Sequence, residues 1–542
     1  MKNSLLAIIL VFNAFSLFSQ QPAFEWASQC GNPPNTTDTK TALASGSEGQ
    51  FYLAGEFLDT TQFGDKLLIS AGGTDIFLVK HTEDGIPVWA DRLGGSDYDF
   101  VQKVIADADG NVIVAGYFYG STLIGPDHYT SYGSQDIFIA KYNPEGAFLW
   151  SFRAGGQSAD FIMGLALDAD QNLVITGYFY DEIYFGDTTL AAFGSSDIYL
   201  AKFDAGGNLL WVTAAGGSSS DQSRSASCDP EGNILISGSF YYDIMLGDTT
   251  ITTINPVGVV VAKYLPNGQL DRAFQLDGTY LSTEVYIKTG QEGNFYISGN
   301  FSEQLVFGSK IFDAGEFNQD IFVAKYNASC DLEWARHAYS AASDQVMGID
   351  VDRDDNLYLT GHYLDTISFE PVILPYTLCC GSREIFIVKY SAAGDVLWGQ
   401  QVSGTRASIQ SLALNSQGKL LLSGLFTEEV ILGQLKLSNF NGFQNYVACM
   451  QTEIYTYTGK TLIIPDLKVF PNPGRDKIQI MNSEQSNYIN FMIFSRNGSL
   501  VHSGMAGKGE SIDIGFLPAG QYLLRLVDPG GNSAQSCSFI KQ

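Results

Sequence analysis

The chain has 542 residues, a formal net charge of −28 at pH 7 and a sequence pI near 4.4. That surplus of acid excludes a protein held to nucleic acid or to an anionic membrane by its own charge. Only 16% of the residues are charged while 13% are aromatic, which suits packed β-structure and not a disordered chain.

Residues 1–19 read as a secretory signal: Lys2 supplies the positive start, Leu5 to Phe18 the apolar run, and Ser19-Gln20 the cleavage point. A membrane anchor is the alternative, but that run is short for a span of about 20 residues. No later segment is longer and equally apolar, so the mature protein is expected to have no transmembrane segment.

Residues 20–456 are built on a repeat. A phrase such as "DADGNVIVAGYFYG" ends an alternating strand at Gly55, Gly116, Gly177, Gly238, Gly299, Gly361 and Gly424, steps of 61 to 63 residues. A second phrase keeps the same beat, from "DIFLVK" at Asp75 through "EIFIVK" at Glu384 to a degraded "NYVACM" taken from Asn445. A third is a turn followed by Trp, and all six tryptophans sit there: Trp26, Trp89, Trp150, Trp211, Trp334 and Trp398. Arg272 takes the remaining copy. Each unit thus has an apolar strand A, the Gly-ended strand B, a long connection, the "DIFIAK" strand C and the Trp strand D.

Four short strands per unit with turns between them predict one blade of a β-propeller. The B–C surplus predicts an extra hairpin or long loop on one face. There are seven A, B and C strands, yet no Trp follows the last C strand and Trp26 precedes the first A strand. The N-terminal strand is therefore expected to complete the last blade and remove a free edge. On these phrases residues 21–456 resemble the bacterial seven-bladed β-propeller repeat family. The resemblance implies an all-β ring whose A strands line a central channel. It implies no activity, since propellers host unrelated ones.

Residues 457–466 read as a linker, and residues 467–542 lose the beat and predict a small Ig-like β-sandwich. "VFPNP" with Pro471, Asn472 and Pro473, then "LPAGQYLLRL" with Leu517, Pro518, Gly520 and Tyr522, then a terminal "FIKQ" with Lys541, resemble the type A sorting domain of the type IX secretion system. That resemblance implies an address: passage through the periplasm and across the outer membrane, then release or attachment at the surface. The partner it implies is the type IX machinery.

Chemistry is sparse. The five histidines fall at unrelated places of the repeat, and no hydrolase, phosphate-loop or zinc motif is present. The seven cysteines form no C-x-x-C pair. Hairpin register sets Cys30 and Cys449 about five rows apart, too far for a disulfide. Cys379-Cys380 stay open between an adjacent-residue bridge and free thiols. The "D-x-D-x-N" stretches at Asp107, Asp168 and Asp350 read as hairpin turns and not calcium loops, because the Gly and distant Glu of such a loop are missing. The aromatics two residues after each Gly (Phe57, Phe118, Phe179, Phe240, Phe301, Tyr363 and Phe426) read as packing between blades.

One constellation is a candidate site. Asp38, Asp99, Asp160, Asp221 and Asp344 recur between strands D and A. Either they form an acidic ring at a channel mouth, for calcium or for a cationic or polyhydroxyl ligand, or each caps its own loop by accepting backbone N–H bonds. No other cofactor is called for.

The expectation is an exported, monomeric, non-catalytic propeller that displays its B–C connections to a glycan or protein. The alternatives are an extracellular carbohydrate-active enzyme using channel-mouth carboxylates, and a structural envelope protein.

Overall fold

The computed structural model describes residues 22–31, 39–377, 383–439 and 442–452, and further on 468–470, 475–481, 488–495, 500–507, 511–527 and 534–541. The proposed leader and linker, Asp38, Cys379, Cys380, Pro471, Asn472 and Pro473 lie outside these. The chain divides into two compact units, one of residues 21–453 and one holding residues 454–542.

The first unit is a seven-bladed propeller. Its third blade is representative: strands Asp160–Leu167, Leu173–Phe185, Thr188–Phe203 and Leu209–Ala215 pair in that order as an antiparallel sheet. The inner strand of each blade touches that of the next, and the seventh, Ser408–Leu414, touches the first, Thr41–Ser45, so the ring closes. The last blade is completed by Phe24–Gln29, which pairs with Gln444–Met450 and sets Trp26 opposite Cys449. Here the structure corrects the repeat by one residue. Gly424 pairs with Tyr446 as Gly55 pairs with Phe77, so the degraded copy starts at Gln444, not Asn445.

Alternating apolar residues on strands B and C fill the blade interfaces, and all seven aromatics after the glycines are 0% exposed. The B–C surplus is a hairpin that prolongs both strands, as in Val112–Ile124 with Asp127–Tyr142. Five of the B–C hairpins also bridge back to the preceding blade, through Gly155–Tyr184, Gly216–Met245, Asp277–Val306, Tyr339–Ser368 and Ser403–Ile431.

The conserved beat has one mechanical cause: its phrases meet at the blade junctions. Each Trp indole N–H donates to a carbonyl just after strand C of the next blade, in the C–D turn of every blade but the last. The partners are Glu83 for Trp26 (2.9 Å), Pro144 for Trp89 (3.0 Å), Ala205 for Trp150 (3.2 Å) and Pro266 for Trp211 (3.2 Å). Trp334 reaches Ala392 (3.0 Å) and Trp398 reaches Thr452 (3.2 Å). The Lys of strand C reaches the same carbonyls, Lys80 to Pro144, Lys141 to Ala205 and Lys202 to Pro266. It also pairs with the Asp of its own A–B turn, Lys141 with Asp107 and Lys202 with Asp168, both at 2.8 Å. Burial alone would raise the Asp107 carboxyl, but Lys141 and Asn111 hold it below the usual range. Asp107 also accepts the Asp109 and Asn111 N–H groups, so these stretches are turns.

The exception explains the rule. Where Trp is missing, Arg272 donates to the carbonyl of Ser329 at 2.6 Å instead. The turns facing Trp26, Trp89, Trp150, Trp211 and Trp334 carry a positive-φ glycine against the indole, and a Cβ there would meet ring carbons at 2.6–2.9 Å. The turn facing Arg272 carries Cys330, at φ 63°, in that place.

The second unit has two antiparallel sheets, one of Lys468–Phe470, Lys477–Met481 and Ser511–Asp513, the other of Leu500–Gly507, Tyr488–Ser495, Gly520–Val527 and Ala534–Lys541. Ile478 and Ile512 from the first share one core with Phe491, Ile493, Tyr522 and Leu524 from the second. Of the motif residues, Leu517 is buried, Pro518 is exposed, Tyr522 donates to the Pro518 carbonyl at 2.8 Å, and Lys541 pairs opposite Gly520.

Candidate functional site: the central channel

Four of the five candidate carboxylates are described, and they sit at blade junctions. Asp99, Asp160, Asp221 and Asp344 are at most 1% exposed. Asp99 accepts the Gly95 N–H (2.8 Å), Asp160 the Gly156 N–H (2.7 Å) and Asp221 the Gly217 N–H (2.6 Å), while Asp344 accepts the Ser340 hydroxyl (3.1 Å). None of the four lines the channel. In the first blade Thr41 pairs with Gly55 as Val101 pairs with Gly116. The residue two ahead of that pair is therefore buried Thr39, whereas it is Asp99 in the second blade.

Each capping Asp faces the first residue of the preceding C strand. Burial pushes Asp99 and Asp221 up to about 7 and Asp160 and Asp344 up to about 8, and the carboxylates of Asp75, Asp197, Asp136 and Asp320 add to the rise. Around the fourth junction the pattern has Gly258 and Ser282, and there strands D and A run on as one strand, Leu270–Thr289. Among the described residues no group of three or more His, Cys, Asp or Glu is placed to hold a metal ion.

The channel is a cavity of about 800 Å³ with lining from all seven inner strands. Five of those strands carry a one-residue bulge at the same row, at Gln102, Met163, Arg224, Met347 and Gln410. A bulge re-aims side chains beside a site; Gln102, Met347 and Gln410 line the channel. Gln102 accepts from Lys40 Nζ at 2.7 Å. Lys103 and Lys288 also line the channel, and Lys288 pairs with Asp350 at 2.9 Å.

At the B-strand ends of blades two and three lies a continuous set of rings. Tyr98 and Phe100 are 6.4 Å apart, Phe100 and Tyr117 5.1 Å, Tyr117 and Phe161 5.8 Å, and Phe161 and Tyr178 4.5 Å. Tyr119 and Tyr180 extend it from Tyr117 and Tyr178 at 6.5 and 6.2 Å. Tyr98 is 56% and Tyr119 37% exposed. Phe100 pairs with Tyr117 and stands two residues ahead of Gln102, which puts the rings next to the channel wall along the same inner strand.

Sequence reasoning missed this cluster, though a signal was present. The core Phe is flanked by Tyr117 and Tyr119 and by Tyr178 and Tyr180 in these two blades, but by Glu56 and Leu58 in the first and Asn300 and Ser302 in the fifth. His81 stacks on Phe51 at 4.7 Å, burial lowers His81 to about 3 and His362 to about 4, keeping both neutral, and His337 Nε2 lies 2.7 Å from Asp320 Oδ2. Cys30, Cys228, Cys330 and Cys449 are free thiols, and burial pushes Cys30, Cys228 and Cys449 up to about 12.

Comparison with known proteins decides the address. Residues 468–540 match the secretion system C-terminal sorting domain. The chain is an exported protein of the type IX route, delivered to the cell surface or the medium. Among the described residues no helix is long and apolar enough to cross a membrane. The chain is 23% identical to the uncharacterized WD repeat-containing protein L264 of Acanthamoeba polyphaga mimivirus, over 66% of this chain and 32% of that protein. It is 22% identical to the regulatory protein FlaEY of Caulobacter vibrioides, over 69% of this chain and 41% of that protein. It thus spans less than half the length of either relative. A similar solved structure is PorZ, a surface component of the type IX secretion system of Porphyromonas gingivalis, at 10% identity and a TM-score of 0.27, covering 92% of this chain and 81% of that one.

Proposed function

We propose that this exported protein is a non-catalytic glycan-binding propeller that holds its ligand at the aromatic end of the central channel. The observation that carries the reading is the set of seven rings that runs from exposed Tyr98 and Tyr119 to Phe100, on the inner strand whose Gln102 lines the channel. Sugar rings present faces of C–H groups that pack on aromatic faces, while tyrosine hydroxyls and amides serve their hydroxyls. A core cluster would have no reason to leave two of its rings in solvent. The carbohydrate-active alternative needs two accessible carboxylates roughly 5–10 Å apart; the repeated Asp pairs are buried, which favours binding over hydrolysis. Residues 467–542 serve export of residues 20–456, and the N-terminal strand completes the last blade so that only the short outer strands of the blades remain as edges, which suits a monomer.

The test is a glycan array probed with the secreted protein, together with a reducing-end assay on each bound glycan. Binding without product is expected, with Tyr98→Ala and Tyr119→Ala each weakening it at least tenfold. Binding unchanged in both variants, or product released from a bound glycan, would refute the reading.

A further inference from the structure

Resting on that reading, we infer that the bound glycan is acidic: Lys103, with Lys40 held nearby on Gln102, is the seat for a carboxylate or sulfate ester on a sugar stacked against the rings of blades two and three. The chain carries a formal charge of −28, yet Lys103 and Lys288 line the channel, Lys40 bonds Gln102 on its wall, and Arg224 stands at the bulge equivalent to Gln102. Burial disfavours the charged forms of Lys103 and Lys40; Lys40 and Lys288 also repel Lys103 and Arg224 repels Lys40, while Glu284 attracts both lysines and Glu56 attracts Lys40. Lys288 already has Asp350 as a partner. Lys103 is half-buried in the channel wall, and among the described residues no oxygen accepts a hydrogen bond from it and no carboxylate pairs with it. A crowded ammonium group of that kind is unfavourable alone and favourable with an anion.

The repeat itself does not call for a cation there. Pairing one row below the repeat glycine, the other blades hold Ala42, Gly164, Ser225, Tyr286, Gly348 and Ser411. The structural lysines of this protein, such as Lys141 and Lys202, instead bond a turn carbonyl and an Asp. Lys103 does neither. The rings and Lys103 share one stretch of strand, since Phe100 pairs with Tyr117 and Lys103 with Ala115, the Phe100 and Tyr117 rings are 5.1 Å apart, and Gln102, between Phe100 and Lys103, accepts from Lys40.

The experiment is calorimetric titration of the secreted full chain with four tetrasaccharide probes: oligogalacturonate, oligoalginate, a sulfated galactan, and the galacturonate tetramer with its carboxyls reduced to alcohols. At least one acidic probe is expected to bind tenfold or more tighter than the reduced one, with the advantage shrinking as salt rises. A uronate or a sulfate preference then names the anionic group. Lys103→Gln should erase that advantage while leaving the reduced tetramer's affinity unchanged and the melting temperature no lower, and Lys103→Arg should keep it. A reduced tetramer that binds as tightly as every acidic probe overturns the inference and leaves the glycan reading standing. An acidic preference that survives Lys103→Gln overturns the role of Lys103. Binding of none of the four overturns both.

Discussion

Replacing Gly207 by Ala tests whether the Trp–Gly contact is what locks neighbouring blades together. Gly207 sits at φ +86° in the C–D turn facing Trp150, and an added Cβ would lie 2.6 Å from Trp150 Cδ2. The indole has little room to retreat, because its N–H is held by the Ala205 carbonyl at 3.2 Å. Two costs add: about 1–2 kcal/mol for a left-handed non-glycine residue, and about 1–3 kcal/mol for overpacking. Gly186 is the control. It has φ +61° and nothing within 4 Å of its would-be Cβ, so Gly186→Ala should show the backbone cost alone. Denaturant unfolding of the full chain, followed by tryptophan fluorescence, should therefore rank Gly207→Ala below Gly186→Ala by about 1–3 kcal/mol. Cys330→Gly, opposite Arg272, should change stability by no more than about 1 kcal/mol. Equal losses at Gly207 and Gly186 would refute the reasoning.

The capping carboxylates set a pH dependence. Asp160 at about 8 and Asp136 at about 6 both lie above an unfolded value near 3.8. The folded chain thus holds more protons across that window, and stability falls as pH rises from about 4 to about 8. Melting is expected to be higher at pH 5 than at pH 8.5, with Asp160→Asn flattening the slope; a wild type more stable at pH 8.5 would contradict the assignment. Removing residues 21–31 deletes the strand opposite Gln444–Met450 and the Trp26 contact to Glu83. Truncating a packed Trp costs about 3–5 kcal/mol, so a marked fall in melting temperature and edge-to-edge dimers by light scattering are expected, and unchanged melting would mean the ring closes otherwise. Deleting residues 460–542 should leave a folded propeller in the periplasm, and normal surface levels of that variant by immunoblotting of cell fractions would contradict the role of the sorting domain.

The sequence alone determined the architecture of this protein, because repetition is a statement about local chemistry copied seven times. Asp-Gly-Asn turns, alternating strands and six tryptophans on one beat specify equivalent blades, and the displaced Trp26 specifies how they close. The sorting domain was legible for the same reason, as a run of consecutive residues. What the repeated residues touch was decided in three dimensions. Trp, Lys and Gly of the repeat meet across a junction about 55 to 65 positions apart in the chain, as Trp89 and Lys80 meet at the Pro144 carbonyl, and no spacing reveals that they share one atom. Likewise the Asp beat was visible, but only packing turned those carboxylates inward to cap loops. The channel cluster was hidden most deeply. Lys40, Lys103, Arg224 and Lys288 come from four blades and break the repeat instead of following it, and they become neighbours only when the ring closes around a common axis.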